Sequence, residues 1–337
     1  MTKAAVSGYY GFNNFGDEAI LSVIINKLKF LNVDVTVFSS NPKFTKKTYG
    51  VKSVKSFDIP KVIWTLFNTD VLISGGGSLL QDVTSVKSLL YYSAVILTAL
   101  IFRKKVIIFA QGIGPINRKF AQVLVKNVLG CCTYVSVRDE NSINLLKSWD
   151  VNAELVCDPI YSVPVIKGET ANIVGIQLRD YKTMNYNLLT KLAEQVVMEF
   201  SDKKIEIYSF QNSIDLDLCK KFEGILKALN PDIETEVIPA KSLKETIERL
   251  SRLEYLIAMR FHAVLVALMA GVKTCAINYD PKVEKLADEA SIPLISMEAK
   301  EDFAEVFNEL TNLKKADLIK FAQSKHFDWT NIEKIIN

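Results

Sequence analysis

The sequence predicts an α/β protein of two doubly wound domains, each a parallel sheet covered by helices on both faces. Three observations lead there. Strand-like apolar runs alternate with helix-like runs almost from end to end, glycines and arginines recur where the strand-like runs stop, and the rhythm breaks once, near Pro159 to Asn172. A chain of 337 residues that is 49% hydrophobic is long enough for two cores.

In the first half, period-2 or continuous apolar runs predict strands at Lys3–Tyr9, Val33–Ser39, Val71–Ser74, Lys105–Ala110, Tyr134–Val137 and Glu154–Cys157. Helical spacing lies between them at Glu18–Phe30, Ile59–Asn68, Ser88–Phe102, Arg118–Leu129 and Ser142–Trp149. The second half repeats the pattern, with strands at Ile173–Leu178, Lys204–Ser209, Glu234–Ile238, Tyr255–Ala258, Lys273–Asn278 and Pro293–Ser296. Its helices are Leu188–Phe200, Asp215–Leu229, Leu243–Arg252, Ala263–Ala270 and Lys282–Ala290. Prolines, Gly168 and polar residues interrupt the rhythm between the halves, which sets domains at 1–165 and 166–315 facing a cleft. The amphipathic remainder, 316–337, is expected as a helical tail packing back on the first domain.

The formal net charge is +3 with both signs interleaved, so no basic stripe suited to nucleic acid is present. The five cysteines are odd in number and lack CxxC spacing, which points away from disulfides and zinc and toward a reducing cytoplasm. The amino-terminal residues carry no apolar signal region. Leu89 to Phe102 is apolar over 14 residues, short of the ~20 that span a bilayer, and reads as a buried helix. Its basic end, Arg103-Lys104-Lys105, also suits peripheral contact with an anionic membrane.

Chemistry is expected at the carboxyl ends of the strands, where parallel sheets bind ligands. Met259-Arg260-Phe261-His262 joins a strand-like run to a helix-like run. Arg260 offers a planar fork for phosphate or carboxylate, and His262 can donate a proton near neutral pH. The same residues also fit a structural arginine–carboxylate pair and a helix cap. The first strand ends in a loop from Gly8 through Asn14 and Gly16 to Asp17, where Asp17 can cap the next helix or accept hydrogen bonds from hydroxyls. Gly75-Gly76-Gly77, followed by Ser78, Gln81 and Asp82, is expected to form an anion-binding nest ahead of a helix. Gln111-Gly112-Ile113-Gly114 reads as a further strand-to-loop turn. Arg138 and Arg179, each next to an aspartate, end strands in the two halves.

At these residues the chain resembles the polysaccharide pyruvyl transferase family, in particular bacterial cell-wall ketal-pyruvyltransferases. The resemblance lies in seven ordered segments: GYYGFNNFGDEAIL from Gly8, SGGGSLLQDVTSVKSLLYY from Ser74, FAQGIGP from Phe109, VSVRDENS from Val135, GIQLRDY from Gly175, MRFHA from Met259 and INYDPKV from Ile277. It implies a glycosyltransferase-B-like pair of Rossmann-type domains, acceptor side first and donor side second. It also implies phosphoenolpyruvate as donor co-substrate, carrying about −2.5 to −3 charges, with no metal and no further cofactor. Arg138, Arg179 and Arg260 are then candidate donor binders, His262 the general acid, Asp17 the residue that orients an acceptor hydroxyl, and Asp280 part of the loops at the site. The implied acceptor is a glycan or lipid-linked saccharide containing N-acetylmannosamine, met at the inner membrane face. Phe261 and Gln177 depart from residues common in the family, and neither is expected to touch the chemistry. Two other readings remain: a glycosyltransferase using a nucleotide sugar, and a carbohydrate-binding protein without catalysis.

Overall fold

A computed structural model describes residues 1–83, 85–164, 169–181 and 184–337. The chain divides into two compact units, Met1–Val163 with His326–Asn337, and Pro164–Lys325.

The first unit runs β1 (Lys3–Ser7), α1 (Phe15–Phe30), β2 (Asp34–Ser39), α2 (Pro42–Tyr49), β3 (Lys52–Lys55), α3 (Ile59–Phe67), β4 (Val71–Ser74), β5 (Gly77–Leu80), α4 (Val86–Ile101), β6 (Lys105–Ile113), α5 (Lys119–Gly130), β7 (Tyr134–Val137), α6 (Glu140–Ser148) and β8 (Glu154–Leu155). Its strands pair in the order β3-β2-β1-β4-β6-β7-β8, all parallel, and β5 adds to the far end of β6. Central strands read as unbroken apolar runs because helices cover both faces: Ala4 to Val6, Val71 to Ile73 and Val106 to Phe109 are at most 1% exposed.

The second unit runs β9 (Ile173–Gln177), α7 (Tyr186–Phe200), β10 (Lys204–Tyr208), α8 (Asn212–Leu229), β11 (Thr235–Ile238), α9 (Leu243–Leu250), β12 (Tyr255–Ala258), α10 (Phe261–Ala270), β13 (Lys273–Asn278), α11 (Pro281–Ala290), β14 (Leu294–Ser296), α12 (Phe303–Asn312) and α13 (Lys315–Ser324). Its parallel sheet has the order β11-β10-β9-β12-β13-β14. Both orders reverse direction once, between β1 and β4 and between β9 and β12.

The tail expected as one piece is divided. α13 packs on α10 within the second unit, while α14 (Thr330–Ile336) belongs to the first. There the rings of Phe327 and Trp329 pack at a tilt around Phe109 of β6 at 5.2 Å each, and Lys105 donates to the Ile335 carbonyl at 2.5 Å.

Three local expectations change. α2 and β3 fall in a stretch with no predicted element; α2 buries only Thr45, so it shows no apolar period. The helix after β1 starts at Phe15, with Asn14 as its cap, accepting from the Gly16 amide at 3.1 Å; Asp17 lies inside the first turn. The triple glycine does not precede a helix. It leads into β5, and Gln111-Gly112-Ile113 lies within β6 as the partner of β5, not in a turn.

Gly75 and Gly76 are therefore packed, not presented: a Cβ on Gly75 would lie 1.8 Å from the Tyr10 hydroxyl, and one on Gly76 2.9 Å from Ile20. Gly75→Ala should destabilise the first unit by about 1–3 kcal/mol through overpacking. Tyr10→Phe, which removes the clashing oxygen, should restore part of that loss in the double variant. Equal denaturation midpoints for Gly75→Ala with and without Tyr10→Phe would show that the clash lies elsewhere.

Candidate active site

In the second unit, the ends of β9, β10, β12 and β13 bring the polar residues together. Gln177 and Ala258 are paired in register across β9 and β12, so Arg179 and Arg260, two residues further on, leave neighbouring positions on the carboxyl edge. Gln177 ties the two ends: its carbonyl accepts from the Met259 amide at 3.0 Å, and its side-chain oxygen accepts from the Arg260 amide at 2.7 Å.

Arg260 is only 7% exposed, and its guanidinium faces inward. Nε donates to Asp215 Oδ2 at 2.9 Å, and Nη2 donates to Asp215 Oδ1 at 2.9 Å and Oδ2 at 2.7 Å. Asp215, fully buried in the first turn of α8, also accepts from the Gln211 amide at 3.0 Å. Burial pushes the Asp215 carboxyl up, and the charge and hydrogen bonds of Arg260 pull it back. The structural pair with a carboxylate, one of the readings open for Arg260, is present. Neither Asp215 nor Gln211 stood out in the sequence, since Asp215 lies 45 positions from its partner and reads locally as a helix start.

Arg179 differs. Its Nη1 donates to the Tyr279 hydroxyl at 3.0 Å, and its guanidinium lies 4.9 Å from the Tyr279 ring and 5.4 Å from that of Tyr181. Among the described residues its Nε is buried without a hydrogen-bond partner, and no carboxylate forms an ion pair with it. Its charge reaches Asp215, already engaged by Arg260, and lowers that carboxyl. Tyr181 and Tyr279 were not singled out from sequence, although both lie in segments that carry the resemblance.

His262 is half-buried in the first turn of α10, whose cap position is Arg260 and which has no side-chain cap. The Phe261 ring packs edge-on to His262 at 5.2 Å. Both departures expected to be remote thus touch this edge, Phe261 through His262 and Gln177 through the Arg260 amide. Asp280 caps α11, accepting from the Lys282 amide at 3.1 Å, so its carboxylate is committed to that helix start.

The first unit gathers its candidates at its own reversal point. The Asp17 carboxylate packs against Gly77, whose φ of +94° lets the backbone turn beneath it; a Cβ there would meet Asp17 Oδ1 at 2.7 Å. Glu18, beside it, accepts from the Gly11 amide at 2.7 Å and the Tyr49 hydroxyl at 2.6 Å, which fixes the loop carrying Gly8 and Asn14. Ser78 Oγ and the Asp139 carboxylate flank Gly112, 2.7 and 3.3 Å from where its Cβ would stand. Gln111 donates to Ser74 and Gly75 and so braces β4.

Other candidates have structural duties. Asp82 is buried, accepts from the amides of Asn117 and Arg118 at 2.9 Å each, and is held below the usual carboxylate range by them. Gln81 accepts from the Val83 amide at 2.8 Å. Gly114, with φ of +86°, carries the chain out of β6. Arg138 donates to Asp158 at 3.1 Å in a nearly buried ion pair. None of the described residues forms a group of three or more His, Cys, Asp or Glu suited to a metal ion.

A family model described as polysaccharide pyruvyl transferase matches residues 14–281, from the cap of α1 to the first residue of α11. The chain belongs to the polysaccharide pyruvyl transferase family. As a member it is a transferase, and Asp17, Arg179, Arg260 and His262 all fall within the matched span. Comparison with curated protein sequences found no match. Among solved structures it is similar to Anabaena HepE in complex with UDP-glucose, at 10% identity and a TM-score of 0.66 over 100% of this chain and 98% of that one. UDP-GlcNAc 2-epimerase from Neisseria meningitidis bound to UDP-GlcNAc is similar at 11% identity and a TM-score of 0.65, over 100% of both chains. MurG from Acinetobacter baumannii matches at 12% identity and a TM-score of 0.61, over 100% of this chain and 99% of that one. These likenesses identify the fold as two Rossmann-like halves of the glycosyltransferase-B type.

The buried pair has a measurable signature. Asp215→Ala should destabilise the second unit by roughly 3–5 kcal/mol, because it leaves the Arg260 charge buried and unpaired. Asp215→Ala with Arg260→Met should be less damaged than Asp215→Ala alone. Chemical denaturation of the two variants decides it: a double variant at least as unstable as the single one would show that Arg260 finds another partner.

Proposed function

We propose that the chain transfers the enolpyruvyl unit of phosphoenolpyruvate to a sugar of a cell-wall or exopolysaccharide precursor, giving a pyruvate ketal and inorganic phosphate. The observation that carries this reading is the contrast between two neighbouring arginines. Arg260 is neutralised by Asp215, whereas Arg179 stands beside α10 with no carboxylate in an ion pair among the described residues. A compact trianion is the kind of ligand that such an uncompensated guanidinium and the positive end of a helix recognise together.

In this reading Arg179 holds the donor's carboxylate or phosphate, and Tyr279 and Tyr181 keep its guanidinium in place. Arg260 acts at one remove: through its amide and its pair with Asp215 it fixes the start of α10 and hence His262. His262 delivers a proton to the methylene carbon, which becomes a methyl group, and C2 becomes oxocarbenium-like. One sugar hydroxyl adds to C2. A second then forms its own bond to C2 as the C2–O bond to phosphate breaks. Of the two hydroxyl protons, one replaces the proton His262 gave and the other leaves with phosphate. Asp17 orients an acceptor hydroxyl on the first unit's edge. The acceptor proposed is lipid-linked and contains N-acetylmannosamine, and the place of action is the cytoplasm.

His262→Gln should keep its fold and lose turnover by about 100 to 10,000-fold, as expected when a general acid is removed. Arg179→Lys should raise the donor KM by about tenfold or more, since a point charge cannot reproduce the fork. Phosphate release from phosphoenolpyruvate with a lipid-linked disaccharide is the measurement, run beside a nucleotide sugar as donor. Turnover only with the nucleotide sugar, or saccharide binding without turnover of either donor, would replace the reading. Near-normal rates in His262→Gln would remove that residue from it.

A further inference from the structure

Helix α4 is flanked by α3 and α5 on one face of the first sheet. It turns Leu89, Tyr92, Val95, Ile96 and Ala99 into the core, as expected of a buried helix, but its other side is also apolar. Leu97 and Ile101 of α4 are 43% and 67% exposed. On α3, Trp64 and Phe67 are 70% and 60% exposed, and on α5 Phe120 is 54% exposed. Isolated exposed apolar residues need no explanation, whereas a set spread over three adjacent helices makes a face.

The interleaving of charge breaks down along α4 and α5, while Asp58 caps α3 and Asp70 follows it. From Val83 to Arg138 the chain holds no Asp or Glu against eight Lys and Arg, a run that includes all of α4 and α5. Lys87, Arg103, Lys119 and Lys126 are exposed. The cations adjoin the apolar residues directly: Lys104 Nζ lies 5.8 Å from the Phe67 ring centre, and Phe67 meets Phe102 edge-on at 5.5 Å.

We infer that the α3–α4–α5 face of the first unit docks on an anionic phospholipid surface, Trp64, Phe67 and Ile101 entering the headgroup region while the surrounding lysines and arginines meet lipid phosphates. Charge complementarity selects this occupant. Two copies of the face brought together would oppose basic rims of equal sign, whereas an anionic bilayer supplies both an apolar interior and the missing negative charge. Trp belongs at such a boundary, apolar in body and polar at its N–H. No helix among the described residues is long and apolar enough to cross a membrane, so the contact is peripheral. The inference goes beyond the donor reading and uses neither Arg179 nor His262, so either can fail without the other.

Co-sedimentation of the full chain with vesicles of phosphatidylglycerol and phosphatidylethanolamine, against phosphatidylcholine alone, tests it. The parent should partition onto the anionic vesicles about tenfold or more better than onto the neutral ones, and less well as salt is raised. Trp64→Ser with Phe67→Ser should lower that partition about tenfold, and so should Lys87→Glu with Lys119→Glu and Lys126→Glu. Unfolding curves check that each variant is folded, and the charge-reversed variant, altered only at exposed positions, serves if the apolar one is not. Equal partition onto both vesicle types, no partition by the parent, or charge-reversed protein that binds like the parent would overturn the inference. So would sedimentation velocity showing that the parent self-associates and the apolar variant does not, which would assign the face to a second copy.

Discussion

A parallel sheet whose strand order reverses has one place where neighbouring strands send their loops to opposite faces, and that constraint positions nearly everything chemical in this chain. The reversal falls between β1 and β4 in the first sheet and between β9 and β12 in the second. Both faces of each sheet are buried, so a polar side chain inside can be satisfied only near a strand end. Each unit uses a fully buried glutamine there. Gln111 bonds to Ser74 and Gly75, and Gln177 bonds to the Arg260 amide, in both cases linking the ends of adjacent strands. Such bonds tie the strand ends together without a side chain from outside the sheet.

Electrostatics then separates two arginines that sequence treats alike. At an effective dielectric near 20, opposite charges 4 Å apart attract by about 4 kcal/mol, enough to commit a guanidinium to a carboxylate it meets in two directions. Asp215 so commits Arg260. Arg179, at the neighbouring strand end, is flanked instead by two aromatic rings, which stabilise a cation without cancelling it. Asp215 thus compensates Arg260, whereas among the described residues no carboxylate forms an ion pair with Arg179.

The fold was legible because apolar period is a local property. Twelve predicted strands match observed ones, and the two absent from the sequence reading, β3 and β5, are a half-exposed edge strand and a four-residue strand that opens on glycine. The candidate site was legible only in part. The Arg260–His262 turn announced itself by standing between a strand and a helix. Its governing residue, Asp215, did not, because an ion pair between elements 45 positions apart leaves no spacing to read. The same reason hides the Arg138–Asp158 pair, 20 positions apart. The triple glycine misled because tight packing and anion binding ask for the same residue. Only the position of Tyr10 and Ile20 behind Gly75 and Gly76 distinguishes them.

Composition along the first unit carries a constraint that folding alone does not impose. Exposed positions on α4 and α5, such as Ser88, Ala94 and Asn127, would accept Glu or Asp with little effect on stability, since surface substitutions commonly change it by under about 0.5 kcal/mol. Helix α8 of the second unit shows the ordinary outcome, with Asp217, Lys220, Lys221, Glu223 and Lys227 mixed along it. An acid-free run of 56 residues, coupled to exposed aromatic and aliphatic side chains on three adjacent helices, departs from that outcome in sign and in hydropathy together. Core packing accounts for the inward residues of α4 and is silent on its outward ones, so the pressure on those positions comes from what the face meets in solution.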